Sequence, residues 1–155
     1  MIQRIQSVYL FLAFLASFVI FFFPLASYLS DIEYIKLFIY TVQNEVPDPE
    51  FIYNKFFNIP LILLDIAVMA LIATASFNYK KRLFQIKMVN FGILLNIVLI
   101  VLMFFYTDRI STSVSVTTSY ETGSVFPLVC LVFLVLALRA IKRDERLVRA
   151  ADRLR

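Results

Sequence analysis

Asp65 and Asn96 are the two residues whose type and placement could do chemistry inside an apolar setting. Asp65 interrupts the apolar run Phe56–Phe77, seven residues past Asn58, and Asn96 lies within the run Met88–Tyr106. An aspartate at the centre of a bilayer costs about 2.5–3.5 kcal/mol on insertion scales. A partner, a water-filled cavity or protonation must offset that cost. Asn96 falls ten residues before Tyr106, at a depth an Asp65 side chain can reach. The expected contact is either interhelical glue, worth about 0.6–2 kcal/mol, or an anchor for a proton, a cation or a ligand.

The rest of the catalytic repertoire is thin. The chain has no histidine, so it lacks the commonest general base and metal ligand. Its single cysteine, Cys130, sits in another apolar run and can form no internal disulfide. No G-x-x-x-x-G-K, no G-x-S-x-G and no pair of intramembrane acids occurs. The expectation is a protein that is not an enzyme, with no catalytic residue, no cofactor and no metal site. On the side assigned below as outer, acids outnumber bases, but at spacings that match no metal motif.

Composition dictates what must position Asp65 and Asn96. Of 155 residues, 61% are hydrophobic and 17% charged, well outside the roughly 45–50% apolar content of soluble domains. A hydrocarbon core about 30 Å thick needs about 20 apolar residues of helix. Four runs approach that length: 8–29, 56–77, 88–106 and 125–141, the last if Arg139 snorkels. The first run is longer than a signal-peptide core and no small-x-small site follows it, so it is expected to stay as a span. The expected fold class is an all-α membrane protein: one domain over 1–155, a bundle of four transmembrane helices. Small residues Ala13 and Ser17 in the first span, and Ala67, Ala70 and Thr74 in the second, fall at helical spacing suited to close approach.

With the N-terminus inside, twelve of the fifteen Lys and Arg fall on the cytoplasmic side and three outside. That bias places both termini in the cytoplasm. The outer loops are the longer ones. The first carries a strand-like stretch, Ile32–Val42, and a turn at Val46-Pro47-Asp48-Pro49-Glu50. The second alternates, with Ile110, Val114, Val116 and Tyr120 on one face and serines and threonine on the other, which predicts a strand. The two predict a small periplasmic sheet over the bundle mouth, with Ser124 placed to cap the fourth helix. This layout resembles claudin-like tetraspan proteins, though their tryptophan and paired loop cysteines are missing.

The last segment, 139–155, reads as a cytoplasmic helix continuing the fourth span. Arg139, Lys142, Arg143, Arg146, Arg149 and Arg153 cover one face. Leu147 and Leu154, with Ala140 and Ala151, form a narrow apolar stripe beside it, and Asp144, Glu145 and Asp152 lie further round. This surface suits anionic lipid or a protein partner. Nucleic acid is not expected, because the basic cluster is mixed with acids and has no aromatic stacking platform.

The N-terminal stretch Met1-Ile2-Gln3-Arg4-Ile5-Gln6-Ser7-Val8-Tyr9-Leu10 and the C-terminal stretches Arg139–Glu145, Leu147–Arg149 and Ala151–Arg155 resemble a family of small four-span membrane proteins from Bacteroidetes, classed as a domain of unknown function. The resemblance covers the whole length. It implies a multi-pass protein of the bacterial inner membrane with its outer loops in the periplasm, and carries no activity or cofactor. The functional expectation is an accessory or assembly subunit of a larger inner-membrane complex, contacting the bilayer and membrane or cytoplasmic protein partners. The alternative is a lipid-, quinone- or ion-binding protein centred on Asp65.

Overall fold

The computed structural model describes residues 3–29, 34–44, 57–79, 81–114 and 118–153. Four helices form the body: α1 Gln3–Val19, α2 Ile59–Phe77, α3 Arg82–Val114 and α4 Phe126–Arg153. Four short strands form one sheet at one end: β1 Ala26–Leu29, β2 Tyr34–Leu37, β3 Val42–Asn44 and β4 Thr118–Tyr120. We call this the sheet end and the opposite end, where α1 begins and α3 starts, the basic end. Among the described residues three helices, α2, α3 and α4, are long and apolar enough to cross a membrane, while the apolar part of α1, Ile5–Val19, is shorter. Their outward faces carry Leu63, Ile66, Leu94, Val101 and Val132 at 42% exposure or more. A contiguous apolar surface of this kind is a liability in water and the normal exterior in lipid.

Each helix buries one seam. Among the described side chains of α3 the buried positions are Gln85, Val89, Gly92, Asn96, Leu99, Met103, Thr107 and Ile110; in α4 they are Pro127, Cys130, Leu134, Ala137, Ile141 and Asp144. Steps of three and four average 3.5 residues, the spacing of knobs-into-holes packing between nearly antiparallel helices. In α2 the seam is Leu61, Asp65, Val68, Ile72 and Ala75. The expected small-residue stripe of that helix is not the packed one: Ala70 and Thr74 are exposed. Ala13 and Ser17 of α1 are buried as their spacing suggests. The interior divides into a cluster towards the basic end, built around Leu10, Ile72, Leu134 and Ile141, and one beneath the sheet, built around Leu25, Tyr28, Leu99 and Met103.

The first apolar run is not a single helix. α1 stops at Val19, and residues 26–29 become β1. Pro24 is the cause: it has no N–H to donate to Ile20 and disfavours helical geometry in the residue before it. The last turn tightens through Phe21 N to Phe18 O and Phe22 N to Val19 O, at 3.4 and 3.0 Å, and Leu25 N then donates to Leu37 O at 2.7 Å. Ala26, Ser27 and Tyr28 are all buried. A strand covered on both faces shows no alternation, so it is indistinguishable in composition from the helix before it.

The sheet order is β3-β2-β1-β4, all pairs antiparallel. Ala26 pairs with Leu37 on one side and Tyr120 on the other. The expected sheet uniting both loops is present, but the long second strand is not. Ile110 and Val114 belong to α3, which runs unbroken for 33 residues, and only Thr118–Tyr120 is strand. Ile110 is fully buried in the helix seam beneath the sheet. Ile110 and Val114 are four apart, a spacing that fits a helical face as well as one face of a strand, and here they continue α3. Val116, and the turn at 46–50, lie outside the described residues. Ser124 does not cap α4. It sits in a short 3₁₀ turn, Thr122–Val125, where its Oγ donates back to Glu121 O at 2.7 Å.

That turn is wedged against the end of α1. Gly123 N donates to Pro24 O at 2.9 Å, and a Cβ at Gly123 would stand 2.3 Å from Pro24 O and 2.7 Å from Phe23 O. Backbone atoms cannot give way as a flexible side chain would. Gly123→Ala is expected to destabilise the protein by about 1–3 kcal/mol. Gly92→Ala, whose Cβ would meet Leu71 Cβ at an ordinary 3.9 Å, is expected to be neutral or stabilising by up to about 1 kcal/mol. Thermal unfolding of both variants in a mild detergent checks the contrast.

Candidate functional site

Polar side chains gather at two levels of the seam. The first is mid-bundle. Asp65 is fully buried, and both its carboxylate oxygens lack a hydrogen-bond partner. Its polar neighbours are Ser17 of α1 and Cys130 of α4, which share a hydrogen bond between Oγ and Sγ at 3.6 Å. The expected Asp65–Asn96 bond does not form. Asn96 is also fully buried, but its Nδ2 donates to Pro127 O in the first turn of α4 at 2.9 Å, leaving its own Oδ1 without a partner. Depth along the two helices is similar, yet rotation about the α3 axis aims Asn96 at α4. Periodicity cannot supply that angle.

The second level is the basic end. Gln6 of α1 donates through Nε2 to Asp144 Oδ2 of α4, and both residues are buried. Arg82, at the start of α3, donates through Nη1 to Asp144 O at 3.3 Å. Gln85, one turn into α3, is buried as well. Asp144 is thus a seam residue and not part of the flank on which the sequence places it. The signal was present: Asp144 continues the three-and-four stepping of Leu134, Ala137 and Ile141.

From there α4 runs on past the bundle. Arg139, Lys142, Arg143, Arg146 and Leu147 are exposed, so this much of the expected basic face and apolar stripe is open. Arg149 and Arg153 continue the helix, and Leu154 lies outside the described residues. Two grooves flank α4 here. The larger, about 630 Å³, is lined by Lys81, Arg82, Leu83, Phe84, Glu145 and Val148. The smaller, about 310 Å³, lies between α1 and α4. At the sheet end Tyr120 is exposed in an edge strand, its ring 5.5 Å from that of Phe104. Among the described residues no three Cys, Asp or Glu side chains gather as a metal ion would need.

The model of one family, described as a domain of unknown function (DUF4293), matches residues 2–154. The chain belongs to that family. The match takes in α1, the sheet and all of α4, so the grooves and the buried polar groups all lie inside the shared domain. Comparison with curated proteins gives no match.

The Gln6–Asp144 pair makes a stability test. Asp144→Ala leaves the buried Gln6 amide without its acceptor, and is expected to cost about 1–3 kcal/mol. The double change Gln6→Leu with Asp144→Leu removes both polar groups and is expected to recover most of that loss, read by unfolding in the same detergent.

Proposed function

We propose that this protein is a non-catalytic accessory or assembly subunit of a larger bacterial inner-membrane complex. It spans the membrane four times, with both termini in the cytoplasm, and docks a cytoplasmic or membrane protein through the projecting end of α4. The observation that carries this reading is the composition of that end. Leu147 and Val148 are 50% and 42% exposed, and Val148 opens onto the groove shared with Leu83 and Phe84. Leu83 and Phe84 are themselves 58% and 42% exposed, with Lys81 and Arg82 alongside. Apolar anchors rimmed by charge are the usual makings of a protein contact. The distribution of Lys and Arg supports the orientation. The short α1 is compatible with a fourth span if it tilts little and the bilayer thins or α1 is continued by the turn that follows.

The test is a mild-detergent pull-down of the full-length protein from native membranes, identified by mass spectrometry. A stoichiometric partner is expected. It is expected to be lost when the chain is stopped after Arg146, a cut that spares Asp144 and its bond to Gln6, and on Val148→Glu. A protein that emerges alone overturns the reading.

A second reading, ion or ligand binding centred on Asp65, rests on that residue's two unpartnered oxygens at full burial. It predicts that vesicles containing Asp65→Asn lose proton or cation movement shown by the parent. Equal fluxes would leave Asp65 a structural residue.

A further inference from the structure

The smaller groove has a different character from the one assigned to a protein partner. One wall is α1, through Ile5 and Tyr9, and the other is α4, through Leu136, Ala140 and the arginines Arg139 and Arg143. We propose that this groove binds an anionic phospholipid, its phosphate held between Arg139 and Arg143 and the upper part of an acyl chain laid along Ile5, Tyr9 and Leu136.

The argument is one of paired complementarity. Arg139 and Arg143 are four apart on one helix and both exposed, so they repel each other, and among the described residues no acceptor is bonded to either. An anion placed between them relieves that repulsion and accepts from both guanidinium forks. Asp144 also lines the groove; it is 5% exposed, accepts from Gln6 through Oδ2 and has no partner at Oδ1, and against its one negative charge the two arginines leave the lining net cationic. Antiparallel helices put the parts in order. Leu136 lies seven residues before Arg143, roughly 10 Å along α4, on the side towards the apolar bundle, and Tyr9 lies one turn deeper along α1 than Ile5. The groove therefore runs from apolar to cationic in the direction from membrane interior to headgroups. A free phosphate would leave its apolar walls unused. Its volume, about 310 Å³, holds a headgroup and the first part of one chain, with the rest of the lipid in the bilayer. Basic pockets between helices at a membrane surface favour anionic headgroups in this way.

The test uses the purified full-length protein in mild detergent, with phosphatidylglycerol and phosphatidylcholine as probes and retained lipid counted by native mass spectrometry. Preferential retention of phosphatidylglycerol is expected, falling at least about tenfold in Arg139→Ala/Arg143→Ala. In Lys142→Ala/Arg146→Ala, with the same loss of charge beside the groove, less than about a twofold fall is expected. Leu136→Trp, which fills the groove without touching charge, is expected to reduce retention as well, and keeps the proposal open to test if the arginine variant fails to fold. Equal losses in the two double variants, no preference over phosphatidylcholine, displacement by millimolar inorganic phosphate, or unchanged retention in Leu136→Trp would each overturn it. Loss of a co-purified acidic protein with lipid retention unchanged would assign the arginines to that partner instead. None of these outcomes depends on whether the pull-down finds a partner.

Discussion

The strand Ala26–Leu29 is hydrogen-bonded along both edges, to β2 on one side and β4 on the other, and the whole sheet end is organised around it. In a chain this apolar, each backbone N–H and C=O removed from water must find a partner inside the fold. Once Pro24 ends the helical ladder, a double-sided strand is the way residues 26–29 meet that demand. The side chains then follow. Tyr28 is buried and its hydroxyl donates to Thr107 O of α3 at 3.1 Å. Ser27 Oγ donates to Glu121 Oε1 at 2.8 Å, and Glu121 N to Leu25 O at 3.1 Å. Asn58, just before α2, donates through Nδ2 to Phe38 O at 2.7 Å. One strand thus draws the ends of α1, α2, α3 and α4 to a common lid. Gly123 is the price of that convergence, since the entry to α4 must pass against Pro24 with no room for a side chain.

Below the lid the helices are held by seams in which polar groups are sparse and placed one or two to a level. Apolar packing in lipid lacks the driving force it has in water, so close approach and interhelical hydrogen bonds carry more of the specificity. Asn96 fixes α3 against the start of α4, Ser17 with Cys130 joins α1 to α4, and Gln6 with Asp144 closes the same pair of helices at the other end. α1 and α4 form the most extensive helix pair among the described residues, and they also bound the smaller groove. Gln85, Asn96 and Asp144 each leave one side-chain oxygen unpartnered, whereas Asp65 leaves both carboxylate oxygens so. Where the seams end, α4 continues while its interior face is still pinned by Asp144, and it carries the exposed Arg139, Arg143 and Arg146, with Leu147 on the same face one turn past Arg143 and Val148 further round.

Much of this was legible from residue types and spacing. The apolar runs mark α2, the apolar part of α3 and the apolar part of α4, the β-rich loops indicate a sheet shared between them, and the basic segment after Arg139 reads as a continuation of the last helix. The misreadings have specific causes. Hydropathy alone cannot separate a helix from a strand buried on both faces, so residues 8–29 looked like one span. Alternation at 110–120 overlapped a helical face, so the end of α3 looked like strand. The charge of Asp144 points to a solvated flank, while its position continues the buried stepping of Leu134, Ala137 and Ile141.

Composition and periodicity by themselves determined that this chain buries apolar helices, which end is basic, and which helices are long. These are properties of single segments, set by transfer free energy and by the 3.6-residue turn. Tertiary structure alone decided that Asn96 meets Pro127 and not Asp65, that Asp144 faces Gln6, that Gly123 must be glycine, and that Arg139 and Arg143 share a groove with Ile5 and Tyr9. Each of these depends on the rotation and offset of one helix against another. Those quantities are set by how whole surfaces interlock, and no local stretch of sequence contains them.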